Sequence, residues 1–361
     1  MDTFAFMLHP LNIDDVARKF GFVKHVPGPL VERLLRMLPP FKVSEINGVK
    51  SSYNSAEGWF ISCPLTARQM LELPEEYVIQ KIIQTGKLAE KLGAKVLGLG
   101  AFTSVVGDAG ISVAKELNIP VTTGNSYTVA TAIQGTRKAA NMMGHDLSKS
   151  RVVVLGATGS IGKVCARLLA KEVKKLTLVA RERSRLEQLA RVIMYESGLA
   201  VNISSDIKMS INNAEVIVAV TSAVDSIIGP QDLMPGAVVC DVSRPRNVSK
   251  KVAEQRQDVL VIEGGVVQVP GQVDFNFNFG FPPGMAYACM SETMILALER
   301  RYENYTLGRE LSLEQVEEIS RLADKHGFKL AGFRSFERAL SHEEIEKIKR
   351  NAEMNSQAAY A

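Results

Sequence analysis

At 361 residues, 46% of them hydrophobic and 23% charged, the chain is long enough for more than one separately cored domain and has the composition of a globular protein. Its formal net charge of +4 is too small to mark a nucleic-acid binder, and no apolar run reaches the length of a bilayer span. Cys63, Cys165, Cys240 and Cys289 lie scattered without CxxC spacing, which argues against a disulfide framework and against a bound metal, and leaves each as a thiol. Met1-Asp2-Thr3-Phe4 carries an acid and no basic region ahead of an apolar stretch, so no secretory signal is expected and the expected location is cytoplasmic.

In chain order, Glu75 to Leu92 shows helical periodicity, Lys95 to Leu99 reads as a strand, Asp108 to Leu117 as a helix and Ile119 to Thr122 as a strand. These make an α/β unit in their own right. The glycine-rich stretch Gly98 to Gly110 follows a strand, where α/β proteins place ligands, and makes Thr103 and Ser104 candidate substrate contacts. Gly124-Asn125-Ser126-Tyr127 then opens a long helix running to about Met143. Asn125 or Ser126 acts there either as a helix cap or, through the same polar groups, as a holder of a carbonyl or thioester, with Tyr127 alongside.

Val152 to Leu155 is a short apolar run that breaks into Gly156-Ala157-Thr158-Gly159-Ser160-Ile161-Gly162 and then a helix ending near Lys171. Glycine permits the tight turn and close backbone approach, and the amides opening the helix present partial positive charge to a pyrophosphate. The spacing is GxxGxxG, with Thr158 where the commoner fingerprint has its middle glycine. A second apolar run, Leu176 to Ala180, completes the βαβ unit and ends in Arg181-Glu182-Arg183-Ser184-Arg185. A guanidinium fork at Arg181 or Arg183 matches a 2′-phosphate and favours NADPH; the alternative is a solvated face on the following helix. Strand candidates at 200–203, 215–220, 237–242 and 259–262 complete a doubly wound parallel sheet of Rossmann type, with Thr221, Ser222 and Ser243 at carboxyl ends as further cofactor contacts.

From Gln272 onward the character changes. In Phe275-Asn-Phe277-Asn-Phe279-Gly-Phe281, a period of two places four phenylalanines on one face of an extended strand, as core packing or as a wall of an apolar tunnel touched by substrate at Phe277 and Phe279. Pro282-Pro283-Gly284 stops that strand, and a helix runs from near Met285 to about Arg300. Ser312-x-x-Gln315 and Ser341-x-x-Glu344 are capping boxes opening two more helices, and residues 355–361 are expected to fray. The expected organisation is an α/β substrate domain (1–147), an NADPH-binding Rossmann domain (148–270) and a mainly helical C-terminal region (271–361).

Cys289 stands in the first turn or so of the helix after Pro282-Pro283-Gly284, where backbone partial charge favours the thiolate that attacks thioesters or aldehydes. The competing reading is a small buried hydrophobe, which suits Cys165 better; Cys240 and Cys63 are the other competitors. Basic clusters at Lys171-Lys174-Lys175, Arg181 to Arg185, Arg244-Arg246 and Lys250-Lys251 offer places for an acidic partner.

The order of Gly98-Leu-Gly-Ala-Phe-Thr-Ser104, Thr122-Thr-Gly-Asn-Ser-Tyr-Thr128, the Gly156–Gly162 turn, Cys240-Asp-Val-Ser-Arg-Pro-Arg246 and Gly284-Met-Ala-Tyr-Ala-Cys289 resembles the cyanobacterial long-chain acyl-[acyl-carrier-protein] reductases over nearly the whole chain. That resemblance implies NADPH-dependent reduction of a fatty acyl thioester, on acyl carrier protein or coenzyme A, to a fatty aldehyde, a step of hydrocarbon biosynthesis. It also implies Cys289 as the acylated nucleophile, an acidic acyl carrier protein as substrate carrier, and delivery of the aldehyde to a deformylating oxygenase. Asp241 to Arg246 also resembles a stretch of the glutamyl-tRNA reductases, whose nucleophile is N-terminal and would point to Cys63. Ser62-Cys63-Pro64-Leu65 lacks the asparagine and arginine expected after that cysteine. A catalytically silent NADP-binding regulator, with no use for Cys289, is the third reading.

Overall fold

The computed structural model describes residues 2–358. The chain divides into two compact units, Met1–Tyr127 with Val267–Lys329, and Thr128–Val266 with Leu330–Ala361. In chain order the elements are β1 (Asp2–Leu8), α1 (Ile13–Lys19), α2 (Gly28–Met37), β2 (Phe41–Lys50), β3 (Ser55–Ser62), α3 (Ala67–Glu72), α4 (Glu75–Lys91), β4 (Leu97–Leu99), α5 (Ile111–Lys115), β5 (Val121–Thr122) and α6 (Asn125–Met142). Next come β6 (Arg151–Leu155), α7 (Ser160–Leu169), β7 (Lys175–Val179), α8 (Arg183–Ser197), β8 (Asn202–Ser204), α9 (Ile207–Ile211), β9 (Val216–Ala219), β10 (Val238–Asp241), α10 (Lys250–Gln255) and β11 (Leu260–Glu263). The chain then forms β12 (Val266–Gln268), β13 (Gly271–Asp274), β14 (Met285–Tyr287), α11 (Ala288–Glu299), α12 (Leu313–His326) and the C-terminal α13 (His342–Ala358).

The first unit is built on a sheet of order β13-β2-β3-β1-β4-β5. β1 pairs in parallel with β3 and β4, β4 pairs in parallel with β5, and β2 runs antiparallel to β3. Phe4, Ala5, Phe6 and Met7 of β1 are all buried, because a central strand covered on both faces needs a continuous apolar run instead of alternation. Helix α11 packs on β1, β3 and β4, which returns the segment after Val266 to this unit. The three successive segments read from sequence are therefore grouped as two discontinuous units, because chain order does not reveal where an apolar helix finds its sheet.

The second unit holds the parallel sheet β11-β10-β9-β6-β7-β8, with strand order reversing between β6 and β9. This is the doubly wound Rossmann arrangement. Its apolar core runs through Val153, Leu155, Val179, Ile217, Val239 and Val261.

Three local expectations are corrected. Residues 275–281 are not a strand: Asn276 has φ +47 and Gly280 φ +95, which break the extended backbone after β13. Met285–Tyr287 forms β14, so the following helix begins at Ala288, later than expected. Helix α5 starts only at Ile111, because Gly107, Ala109 and Gly110 all hold positive φ. Of the segment expected to fray, residues 355–358 belong to α13 and 359–361 lie outside the described residues.

Candidate active site

The glycine turn has a backbone that a side chain would block. Gly156 holds φ +79, and a Cβ on it would lie 2.6 Å from the Val220 carbonyl oxygen; on Gly162 it would lie 2.1 Å from that of Gly156. Helix α7 begins at Ser160 with Gly159 at its N-cap, and Lys163 N–H makes the first bond back, to Gly159. The amides of Ser160, Ile161 and Gly162 thus open the helix beside half-buried Thr158. Thr221, next to the Gly156 approach, donates to Asn247 Oδ1 through its N–H (3.3 Å) and its hydroxyl (2.9 Å), and buried Ser243 donates to the same oxygen at 2.8 Å. Asn247, absent from the sequence reading, thereby ties the carboxyl ends of β9 and β10 together. Ser222 is exposed. A cradle of glycines, a helix N-terminus and convergent hydroxyls fits a dinucleotide pyrophosphate.

Of the arginines after β7, Arg183 pairs with Glu187 (3.0 Å) and Arg185 with Glu182 (2.9 Å), both on the solvent side. Arg181 is exposed and makes no ion pair among the described residues. Arg244 and Arg246 are largely withdrawn from solvent against Glu263, at 3.4 and 2.7 Å, and do not belong to a surface patch. Lys171, Lys174, Lys175, Lys250 and Lys251 are exposed.

The four cysteines separate sharply. Cys63, Cys165 and Cys240 are fully buried, and burial pushes the Cys63 and Cys240 thiols up to about 12 and raises that of Cys165 as well. Burial thus favours the neutral thiol at Cys63. Cys289 alone is partly exposed, as the second residue of α11. There the helix dipole favours negative charge on sulfur. Gly124, with φ +75, sits directly against it: a Cβ on Gly124 would lie 2.4 Å from both Cα and Cβ of Cys289. Because Gly124 precedes α6, the N-termini of two helices, α6 and α11, meet at this thiol.

One turn along α11, Glu292 is fully buried. Its Oε1 accepts from the hydroxyls of Thr122 (2.5 Å) and Thr306 (2.8 Å), and its Oε2 from Ser126 Oγ (2.6 Å) and Tyr127 N–H (2.9 Å). Ser126 is therefore a donor to α11 and not the cap of its own helix. Asn125 is 8% exposed, yet its carboxamide makes no hydrogen bond among the described residues. Thr103 and Ser104 stand on a 3-10 turn after β4, where their hydroxyls donate to Gly100 O (2.8 Å) and Ala101 O (2.7 Å); neither bonds to α11. At the end of β1, His9 Nε2 accepts the Phe102 N–H at 3.0 Å, and burial lowers its pKa to about 4, keeping the ring neutral. Sequence reasoning missed Glu292, although one carboxyl group inside the mainly apolar run from Ala288 to Leu298 was a usable signal.

The phenylalanines after β13 gather around Phe60 instead of lining a strand. Phe275 stacks on Phe60 at 5.8 Å, Phe279 meets it edge-on at 5.5 Å, and Phe277 at 6.4 Å. The series continues from Phe279 to Phe281 (5.5 Å) and on to Tyr287 (4.5 Å), the N-cap of α11. Phe277, Phe279 and Phe281 are half-buried, so an aromatic surface leads to the start of the Cys289 helix.

Residues 137–263 match the family model described as shikimate / quinate 5-dehydrogenase, which covers the second unit's sheet. Over 92% of its length the chain is 30% identical to the aminotransferase PigE of a Serratia species, and it spans 42% of that protein. The long-chain acyl-[acyl-carrier-protein] reductase of Synechococcus elongatus is 26% identical over 87% of this chain and 94% of its own length. A glutamyl-tRNA reductase of Acaryochloris marina is 25% identical over 52% of this chain and 43% of its own. The dehydrogenase model and the two reductases together support an oxidoreductase using a nicotinamide dinucleotide. Among the described residues no helix is long and apolar enough to cross a membrane, and no cluster of three metal-ligating side chains occurs.

Proposed function

We propose that this protein reduces long-chain acyl thioesters to aldehydes with NADPH, carrying the acyl group on Cys289. The observation that carries the reading is the setting of that thiol: partly open where the others are sealed, and placed where two helix N-termini meet. The Cys289 thiolate adds to the acyl carbonyl carbon, the bond from that carbon to the carrier sulfur breaks, and the carrier leaves as its thiolate. The nicotinamide supplies a hydride to the same carbonyl carbon when bound. Breaking the bond to Cys289 then frees the cysteine as thiolate and releases the aldehyde. Asn125, with its unengaged carboxamide, and the first amides of α6 are the groups assigned to the carbonyl oxygen as negative charge develops there.

The glycine turn, Thr221, Ser243 and Arg181 are assigned to the dinucleotide, Arg181 selecting the 2′-phosphate. The aromatic surface of Phe277, Phe279 and Phe281 suits an apolar chain, and the exposed lysines suit an acidic acyl carrier protein, the carrier named for the Synechococcus relative. A deformylating oxygenase as taker of the aldehyde belongs to the same proposal. The test is product analysis with acyl-carrier thioester and NADPH. Wild-type protein is expected to yield fatty aldehyde and Cys289→Ala none; aldehyde formation by Cys289→Ala at the wild-type rate overturns the assignment.

A further inference from the structure

Glu292 is more heavily engaged than a structural carboxylate in a helix needs to be. It takes two donors on each oxygen, and those donors come from three separate stretches of chain: Thr122 at the end of β5, Ser126 and Tyr127 in the first turn of α6, and Thr306 beyond α11. Thr306 is itself fixed, since Thr123 Oγ1 donates to its carbonyl oxygen at 2.5 Å. Burying a carboxyl group is costly unless its oxygens are satisfied, and hydrogen bonds to such a group are stronger than neutral ones. The two residues bound to Oε2 are the second and third of α6, so Glu292 caps that helix from another helix, accepting a backbone amide of its first turn. Between the two anchored points, Thr122 and Ser126, lies Gly124, whose α-carbon is pressed against Cys289.

We infer that Glu292 is a positioning residue for Cys289: through Thr122, Ser126, Tyr127 and Thr306 it clamps the start of α6, and with it Gly124 and Asn125, beside the thiol. This rests on the reading of Cys289 as the acyl acceptor. Glutamine at 292 has nearly the same shape. Its carbonyl oxygen can keep Ser126 and Tyr127 N–H while its amide donates to the threonine hydroxyls, which also accept, so the clamp survives the change. Alanine removes it.

The test compares wild type, Glu292→Gln and Glu292→Ala, each held well below its own melting midpoint, in two assays. One follows acylation of Cys289 by acyl-carrier thioester without NADPH, over a range of carrier concentrations; the other follows alkylation of Cys289 by iodoacetamide, which needs no acyl substrate. Loss of a held geometry predicts that Glu292→Ala lowers the limiting acylation rate by about 100-fold with little change in half-saturating carrier, while Glu292→Gln stays within about threefold of wild type. Alkylation should also slow in Glu292→Ala, because the α6 N-terminus no longer supports the thiolate. Wild-type acylation by Glu292→Ala, or a Glu292→Gln as slow as Glu292→Ala, overturns the inference. If Glu292→Ala does not fold, Ser126→Ala removes one donor only and is expected to slow both reactions; wild-type rates there overturn it equally. Failure of the wild type to acylate would defeat the proposed function instead, and equal alkylation rates in all variants would separately defeat the role of Glu292.

Discussion

Replacing Gly124 with alanine puts a methyl group into the backbone of the Cys289 helix. The added Cβ would lie 2.4 Å from Cys289 Cα and Cβ and 2.8 Å from its carbonyl oxygen. Carbon atoms settle near 3.5 Å or beyond, so the turn and α11 must part by about 1 Å. The left-handed backbone, φ +75, adds its own penalty. Left-handed strain of about 1–2 kcal/mol and overpacking of about 1–3 kcal/mol together cost about 2–5 kcal/mol, less than the stability of a typical folded domain. The variant should therefore fold with a lowered melting midpoint, while a displacement of that size at the reacting thiol lowers acylation by about 100-fold. Gly93→Ala is the control, because Gly93 holds φ +86 with nothing within 4 Å of its Cβ position and pays only the left-handed penalty. Calorimetry and the rate of adduct formation at Cys289 read the two effects. If Gly124→Ala matches Gly93→Ala in both, the close approach of Gly124 to the thiol has no part in the site.

Gly162→Ala, whose Cβ would fall 2.1 Å from the Gly156 carbonyl oxygen, should abolish nucleotide binding measured by nicotinamide fluorescence; unchanged affinity would refute the glycine-turn assignment. Arg181→Ala should cut the preference for NADPH over NADH about tenfold or more, whereas Arg183→Ala, already paired with Glu187, should change it little; the reverse order would shift the 2′-phosphate contact to Arg183. His9 predicts a pH dependence of stability. Its pKa falls from 6.5 to about 4 on folding, so between those values the unfolded chain binds a proton that the folded chain refuses. Stability is unaffected above pH 6.5, is lost as pH falls through that window, and by pH 4 has dropped by about 3 kcal/mol from this group. Denaturant titrations of wild type and His9→Gln across pH 4 to 6.5 should show the slope flattened in the variant, and equal slopes would contradict the assignment.

The nucleotide unit was legible because its determinants are local. Strands β6, β7, β9, β10 and β11 are short, mainly apolar runs, and the Gly156–Gly162 turn advertises its backbone directly in glycine positions. The place of Cys289 at a helix start was legible in the same way, from Pro282-Pro283-Gly284 just before it. The Phe275–Phe281 alternation misled because spacing records which residues share a face only while the backbone stays extended, and Asn276 and Gly280 turn it. Those rings are arranged by Phe60, more than 200 residues away in sequence, a contact no period reveals. Glu292 escaped for the same reason: its donors Thr122, Ser126 and Tyr127 lie at a strand end and a helix start that meet it only in the folded chain. β1, β2 and β3, which form the middle of the first sheet, carry no turn signature comparable to the Gly156 loop and were not read as strands.

The most direct test of the central claim is to mix the protein with acyl-carrier thioester in the absence of NADPH and locate any acyl adduct by intact-protein and peptide mass spectrometry. A single acyl group on Cys289, released as aldehyde when NADPH is added, is the predicted result. An adduct on Cys63, or no adduct from a thioester that is nonetheless reduced, would contradict it.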